Sequence, residues 1–204
     1  MTSILQIDSS ILGAHSASRE LTAETVARQV ALHPGATIVH RDLAADSTLH
    51  LSGQHLAAFQ GATPESSALG EDIARGAAYI DDLFAADVIV IGAPMYNFTV
   101  PSQLKSWIDR VLVAGRTFRY TENGAEGLLP AGKKVYVVST RGGVYTGGSP
   151  AASLDFQEGY LRAALAFIGL TDVSIIRAEG LAISEEAKAS AITSAKAEIK
   201  ALVV

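Results

Sequence analysis

The sequence predicts an α/β protein, a flavodoxin-like three-layer sandwich in which a five-stranded parallel sheet carries helices on both faces. Two observations carry that prediction. Short apolar runs alternate with amphipathic segments along the whole chain, as βαβ units around a parallel sheet require. The central run, Val88-Ile89-Val90-Ile91, is apolar without interruption, which implies burial on both faces.

The first strand is expected over about Ile4–Asp8. A helix follows from near Ser18, with Leu21, Thr25, Val26 and Val30 on neighbouring turns, and stops at His33-Pro34-Gly35. The second strand is Thr37–His40. Leu43 to Thr63 is expected to hold a loop and a short helix, and a longer helix runs from about Pro64 to Ala85. The third strand, Val88–Ile91, ends at Gly92-Ala93-Pro94. Pro101 and Ser102 open a helix with Leu104, Trp107, Ile108 and Val111 on one face, so Trp107 belongs to the core.

Gly115 to Gly132 breaks the alternation. Its aromatics alternate in Thr117-Phe118-Arg119-Tyr120, and Glu122-Asn123-Gly124 follows, which predicts a hairpin-like excursion from the sheet. The fourth strand is Val135–Val138. After a glycine-rich loop, a helix is expected from about Leu154 to Ile168, with Leu161, Ala164, Leu165 and Ile168 inward. The fifth strand is Val173–Ile176. The last helix starts near Ser184, with Glu185 and Glu186 suited to its positive end and Ile192, Ala195, Ile199 and Leu202 inward. With no repeat and no linker, residues 1–204 are read as one doubly wound domain. Strand order 2-1-3-4-5 suits five such strands, although periodicity alone does not establish it.

Composition removes several function classes. At 49% hydrophobic and 18% charged, the chain builds a core rather than staying disordered. It has no cysteine, which excludes disulfides, thiolate metal sites, iron–sulfur clusters and thiol redox chemistry, so any redox work belongs to a bound cofactor. A net charge of −5 argues against nucleic acid as a partner. No run approaches the roughly 20 apolar residues that span a bilayer, and the start lacks a secretion signal. The expected location is cytoplasmic, with no membrane partner. His15, His33, His40, His50 and His55 show no metal-ligand spacing, so no metal is expected. A G-x-S-x-G nucleophile elbow is absent, which disfavours a serine hydrolase.

Open parallel sheets bind ligands outside the carboxyl ends of their strands, so the loops after strands one, three and four are the candidate site. The first, Ser9 to Ser18, leads into a helix whose free N–H groups suit phosphate, with hydroxyls from Ser10, Ser16 and Ser18. Helix capping alone also explains these serines. G-x-G-x-x-G and the P-loop are both missing, which favours a mononucleotide held by hydroxyls over a dinucleotide or a nucleoside triphosphate. The second loop, Pro94-Met95-Tyr96-Asn97-Phe98-Thr99-Val100-Pro101, puts large apolar side chains at a strand end. A flat isoalloxazine with a polar edge accounts for them; packing under a neighbouring loop is the alternative. The third, Thr140-Arg141-Gly142-Gly143-Val144-Tyr145, offers close backbone approach and donors for negative charge on a reduced flavin, or else is a flexible surface loop.

At these loops the sequence resembles the FMN-dependent NADH:quinone oxidoreductases, also called azoreductases. The most specific pieces are Ala93-Pro94-Met95-Tyr96-Asn97-Phe98, Thr117 to Gly124, Arg141-Gly142-Gly143 and Phe167-Ile168-Gly169. The resemblance spans nearly the whole chain. It implies a homodimer with one FMN per subunit near the interface, the phosphate held by Ser10 and Ser16-Ala17-Ser18. Met95, Tyr96, Asn97, Phe98, Thr140, Arg141, Gly142 and Gly143 would line the isoalloxazine. The Phe118–Tyr120 excursion would lie near the partner's flavin, which would explain exposed aromatics there. Asn97, Phe98, Phe118, Tyr120 and Tyr145 are the expected walls of the substrate pocket. The family often has serine where Thr140 stands; both carry a hydroxyl.

The expected reaction is a two-step relay in which NADH passes hydride to FMN N5, NAD leaves, and a quinone or azo compound takes two electrons at the same face. That predicts ping-pong kinetics. The flavin carries the chemistry, so no catalytic acid or base is expected. A flavodoxin-type electron carrier without its own substrate is the alternative, and rapid reduction by NADH distinguishes the two. A receiver-type signalling domain would need an acidic cluster after strand one, where Ser9-Ser10 stand instead.

Overall fold

The computed structural model describes residues 1–203; Val204, the last residue of the predicted domain, lies outside them. β1 (Ser3–Asp8), β2 (Thr37–Asp42), β3 (Val88–Pro94), β6 (Lys134–Thr140) and β7 (Val173–Ala178) form a five-stranded parallel sheet in the order β2-β1-β3-β6-β7. β4 (Phe118–Thr121) and β5 (Gly124–Gly127) pair antiparallel as a separate hairpin, so the main sheet has the expected 2-1-3-4-5 order.

Side-chain alternation along the strands divides the core between the two faces. On one face Leu5, Ile7, Ile89, Ile91, Val135 and Val137 pack under α3 (Ser67–Ala85), α4 (Ser102–Val111) and α5 (Glu158–Phe167), with Trp107 1% exposed among them. On the other, Ile4, Val88, Val90, Tyr136 and Val138 meet Leu21 and Val26 of α1 (Ala17–Leu32) and Ala195 and Ile199 of α6 (Glu185–Ala201). Every residue of β3 is buried, as its unbroken apolarity requires. Each such aliphatic side chain contributes about 1.5–3 kcal/mol relative to exposure. Ile192 and Leu202 are only partly buried against this face.

Several boundaries differ from the sequence expectation, with β2 and β7 running on to Asp42 and Ala178 and α3 starting at Ser67. β3 and β6 run on to Pro94 and Thr140, which pair with each other, because β7 continues the ladder beside β6 as far as Ala178. The helix expected from Leu154 begins at Glu158: Asp155 Oδ1 accepts from the amides of Gln157 (3.0 Å) and Glu158 (3.3 Å), and Ala152–Leu154 is a separate 3-10 turn. A short side-chain acceptor just ahead of the helix sets its start, and periodicity does not register it.

The segment between β2 and α3 holds the short helix α2 (Gly53–Phe59). The base of the hairpin is pinned to the domain. A Cβ on Gly127 would fall 2.2 Å from the Gly169 nitrogen, and the Leu129 amide donates to Ile168 O at 3.1 Å.

Candidate functional site

The carboxyl ends of β1, β3 and β6 bring the three loops together. In the first, residues 13–15 form a 3-10 turn and Ser16 caps α1, its hydroxyl accepting from the Arg19 amide (3.2 Å). The hydroxyls of Ser16 and Ser18 lie 3.0 Å apart, and both residues are buried. The amides of Ala17 and Ser18, in the first helical turn, have no intrahelical acceptor. Arg19 does not line the cavity: its guanidinium pairs with Asp42 (2.6 Å), a hydrogen bond that is the main cause holding the Asp42 carboxylate below its ordinary range, and donates to the Ser10 carbonyl (2.8 Å). The loop remains a cage of neutral donors at the positive end of a helix.

The second loop is a tight turn. The amides of Tyr96 and Thr99 each donate to the other's carbonyl, at 2.9 and 3.2 Å, around Asn97 (φ 48°) and Phe98 (φ 72°). Positive φ at both central residues is the type I′ pattern, which ordinarily places glycine at the second position. A phenylalanine there is strained by about 1–3 kcal/mol, and such strain clusters at ligand sites. Its ring is 45% exposed, so packing does not account for it. The Tyr96 hydroxyl reaches Ser10 Oγ (3.2 Å) and accepts from the Ile11 amide (3.3 Å), tying the second loop to the first.

The third loop departs from expectation at Arg141. Its side chain has no exposure and cannot line a flavin; only its backbone reaches the site. The guanidinium is turned inward, 3.0 Å from Glu179, 2.9 Å from Asp155 and 2.6 Å from Glu158, and its Nε donates to Gln157 Oε1 (3.0 Å). Glu179 in turn accepts from the Tyr145 amide (2.9 Å) and from the Thr146 hydroxyl. Burial pushes the Glu179 carboxyl up, but Thr146, the Tyr145 amide and Arg141 outweigh it and hold the group below its ordinary range. Arg141 thus anchors the loop from beneath. The carbonyls of Arg141, Gly142 and Gly143 accept from Leu181, Ala182 and Gly180, whereas the amides of Gly142 and Gly143 find no protein acceptor among the described residues.

Ser10, Ser16, Ala17, Met95, Tyr96, Thr140, Arg141 and Gly142 line one cavity of about 240 Å³. It adjoins a cleft of about 380 Å³ through the shared Leu12, Met95 and Tyr96, and Asn97 lies on that cleft. The joined trough falls in the size range of small-molecule sites. A further cleft of about 500 Å³ lies across Asn97, lined by Val100, Lys105 and Tyr160, whose phenol burial and then Asp109 push up to about 12. Another cavity of about 540 Å³ lies at the amino edge, by Thr2, Asp87 and Leu202, away from these loops.

The predicted substrate residues are not all brought together. Phe118, expected as an exposed aromatic, is buried, its ring 4.6 Å from that of Phe167 at the end of α5, which covers it at the base of the hairpin. Only Tyr120 of that pair is exposed, at 75%. Phe98, Phe118, Tyr120 and Tyr145 line none of the carboxyl-edge cavities within this chain, and neither do Ser18 and Gly143, expected at the cofactor.

Sequence reasoning missed two features. Lys188 of α6 lines the cavity beside Ser16, and so does the exposed His15. His55 is 2% exposed, with Nε2 3.1 Å from Asp72, which also pairs with the buried Arg110 (2.8 Å). Burial works against ionisation of Asp72, but the Leu49 amide, Arg110 and His55 outweigh it and keep its carboxyl low. Neither feature has a local sequence signal, because the partners come from distant segments. No His/Cys/Asp/Glu cluster suited to a metal occurs among the described residues.

The site fits a flavin mononucleotide on its own geometry. Amides without helical acceptors and serine hydroxyls gather at a helix start, Met95 and Tyr96 line the trough, and the Gly142 and Gly143 amides lack a protein acceptor among the described residues. The comparisons point the same way. A family model described as "Flavodoxin-like fold" matches residues 2–203. The chain is 53% identical over 196 residues to the FMN-dependent NADH:quinone oxidoreductase of Ralstonia nicotianae, covering 95% of this chain and 93% of that one. It is 52% identical over 196 residues to that of Sinorhizobium fredii, covering 96% and 94%. An FMN-dependent NADH-azoreductase from Bacillus anthracis, solved in complex with FMN, superposes with a TM-score of 0.86 at 26% identity over the full length of both chains.

Proposed function

The chain belongs to the flavodoxin-like fold family and, within it, to the FMN-dependent NADH:quinone oxidoreductases, and on that premise we propose how its own residues hold the flavin and present it. The activity is FMN-dependent oxidation of NADH coupled to reduction of quinones, with azo compounds as further acceptors. The observation that carries the residue assignment is the set of unpartnered backbone donors at one cavity: Ala17 and Gly142 line it, and Ser18 and Gly143 follow them directly in the chain.

Bound FMN supplies hydride acceptance and two-electron delivery; the protein positions and polarises. Ser10, Ser16 and Ser18 with the α1 amides hold the phosphate. Met95 and Tyr96 cover one side of the ring system, and the Tyr96 hydroxyl fixes their loop to the phosphate loop. The Gly142 and Gly143 amides would be fixed donors for negative charge on the reduced ring system, and being set before reaction they need no reorganisation. Thr140 would offer a side-chain hydroxyl beside Gly142, and Asn97 a polar contact farther along the trough. No side chain here is placed as an acid or base.

One domain acts per subunit, and the subunits pair. Ile11, Leu12, Phe98 and Phe156 are all more than 40% exposed at the carboxyl edge, and Tyr120 projects from the hairpin; a homodimer covers them and lets Tyr120 close the partner's substrate pocket. NADH and acceptor occupy that pocket in turn. No described helix is long and apolar enough to cross a membrane, and the cytoplasm is the proposed location.

The test is purification followed by calorimetric titration of the apoprotein with FMN, then steady-state kinetics. One FMN per subunit and parallel double-reciprocal lines are expected. No FMN uptake by folded protein would overturn the proposal. Intersecting lines would overturn the shared pocket, and a light-scattering mass of one chain would overturn the dimer.

A further inference from the structure

The phosphate cage is neutral at first sight, yet a phosphate monoester carries up to two charges. The cations of this region are committed elsewhere. Arg19 is paired with Asp42, Arg141 lies beneath its loop among three carboxylates, and Lys196 pairs across to α1, 2.7 Å from Glu20 and 3.5 Å from Glu24. Lys188 is different. Its one acidic neighbour is Glu185 on its own helix, at 3.9 Å, and it lines the cavity together with Ser10, His15 and Ser16.

Helix geometry explains how a residue so far along the chain reaches this place. α1 and α6 lie on the same sheet face and run in the same direction, with Lys196 level with Glu20. Eight residues earlier on α6 is about 12 Å towards its start. Glu20 stands only three residues into α1. Lys188 therefore stands beyond the first residue of α1, over the unpartnered amides rather than beside the helix barrel.

From this placement we propose that Lys188 is a phosphate-binding residue of the FMN site, supplying the positive charge by which this cage distinguishes FMN from riboflavin. The inference rests on the FMN reading above and extends it to a residue outside the three loops. The hydroxyls and amides hold the phosphate oxygens in place. Lys188, half-exposed, adds a charge that is screened by salt and absent for an uncharged ribityl end. The same cation could instead meet a phosphate of NADH, and the experiment separates the two.

Apoproteins of wild type, Lys188→Gln, Lys188→Arg and Lys196→Gln are titrated with FMN and with riboflavin by flavin fluorescence quenching at low and moderate salt. For Lys188→Gln the FMN Kd is expected to rise about three- to five-fold at low salt, with a shallower salt dependence. Its riboflavin Kd should match wild type, which also shows that the variant folds. Lys188→Arg should stay close to wild type. Lys196→Gln, which removes the same charge from the same helix away from the cavity, should bind FMN normally. Equal weakening of both flavins, no weakening of either, or the same loss in Lys196→Gln would overturn the proposal. An unchanged FMN Kd with a raised KM for NADH would assign Lys188 to the dinucleotide and overturn it as well. If wild type takes up neither flavin, the FMN reading itself fails and the proposal fails with it.

Discussion

Replacing Arg141 by methionine tests whether the loop facing the flavin is held from below. The guanidinium has no exposure and meets Glu179, Asp155 and Glu158 within 3.0 Å. Methionine fills much of the volume and removes the charge. Arg177 still neutralises Glu158 at 2.8 Å, but Asp155 and Glu179 lose their cation. Removing one partner of a buried pair costs about 3–5 kcal/mol. These carboxylates are 18% and 13% exposed, so partial solvation places the expected loss at the lower end, about 3 kcal/mol at neutral pH.

The pH dependence carries a definite sign. In the wild type the folded Glu179 carboxyl lies below its ordinary value of 4.5, so its stabilisation is present above that value and is lost as pH falls through the folded one. Without Arg141, the upward push of burial meets less opposition and the folded value rises. The deficit of the variant should therefore shrink as pH falls from 7 towards about 4.5. Urea unfolding of both apoproteins at the two pH values gives the number, and FMN titration reads the loop. FMN affinity should fall, because Glu179 also fixes the Tyr145 amide and the Thr146 hydroxyl. A deficit under about 1 kcal/mol at pH 7, or an equal deficit at both pH values, would refute the anchoring role.

Three further outcomes are expected. Phe98→Gly relieves a left-handed phenylalanine that its own chain leaves 45% exposed, so the chain should gain about 1 kcal/mol in thermal unfolding while the dimer, losing that apolar cover, weakens in light scattering. Tyr96→Phe removes the hydroxyl shared by Ser10 and the Ile11 amide; a hydrogen bond worth about 1 kcal/mol predicts a roughly five-fold weaker FMN Kd by fluorescence titration. Gly127→Ala drives a methyl into the backbone of Ile168 and Gly169, and a cost of about 3 kcal/mol should lower Tm by roughly 6–12 °C in circular dichroism.

The sequence by itself determined the layers. Unbroken apolarity made β3 a central strand, 3.6-residue periodicity placed Trp107 and Leu104 inward, and Asn123-Gly124 after alternating aromatics announced the hairpin. These signals are local, because a side chain's face follows from neighbours one strand step or one helical turn away. The three site loops were legible for the same reason, since a parallel sheet always offers its carboxyl edge.

Only the tertiary structure decided which way the polar groups of that edge turn. Arg141 points inward because carboxylates from α5, from the turn before it and from the exit of β7 converge beneath the loop. Phe118 is buried because Phe167 stands behind it. His55 is enclosed by Asp72 and Arg110 from two other helices, and Lys188 reaches the cavity only because α6 lies beside α1. A charge or ring in a sequence carries no mark of its partner. Burial makes pairing obligatory, and the partner is whichever group the packed chain brings within reach.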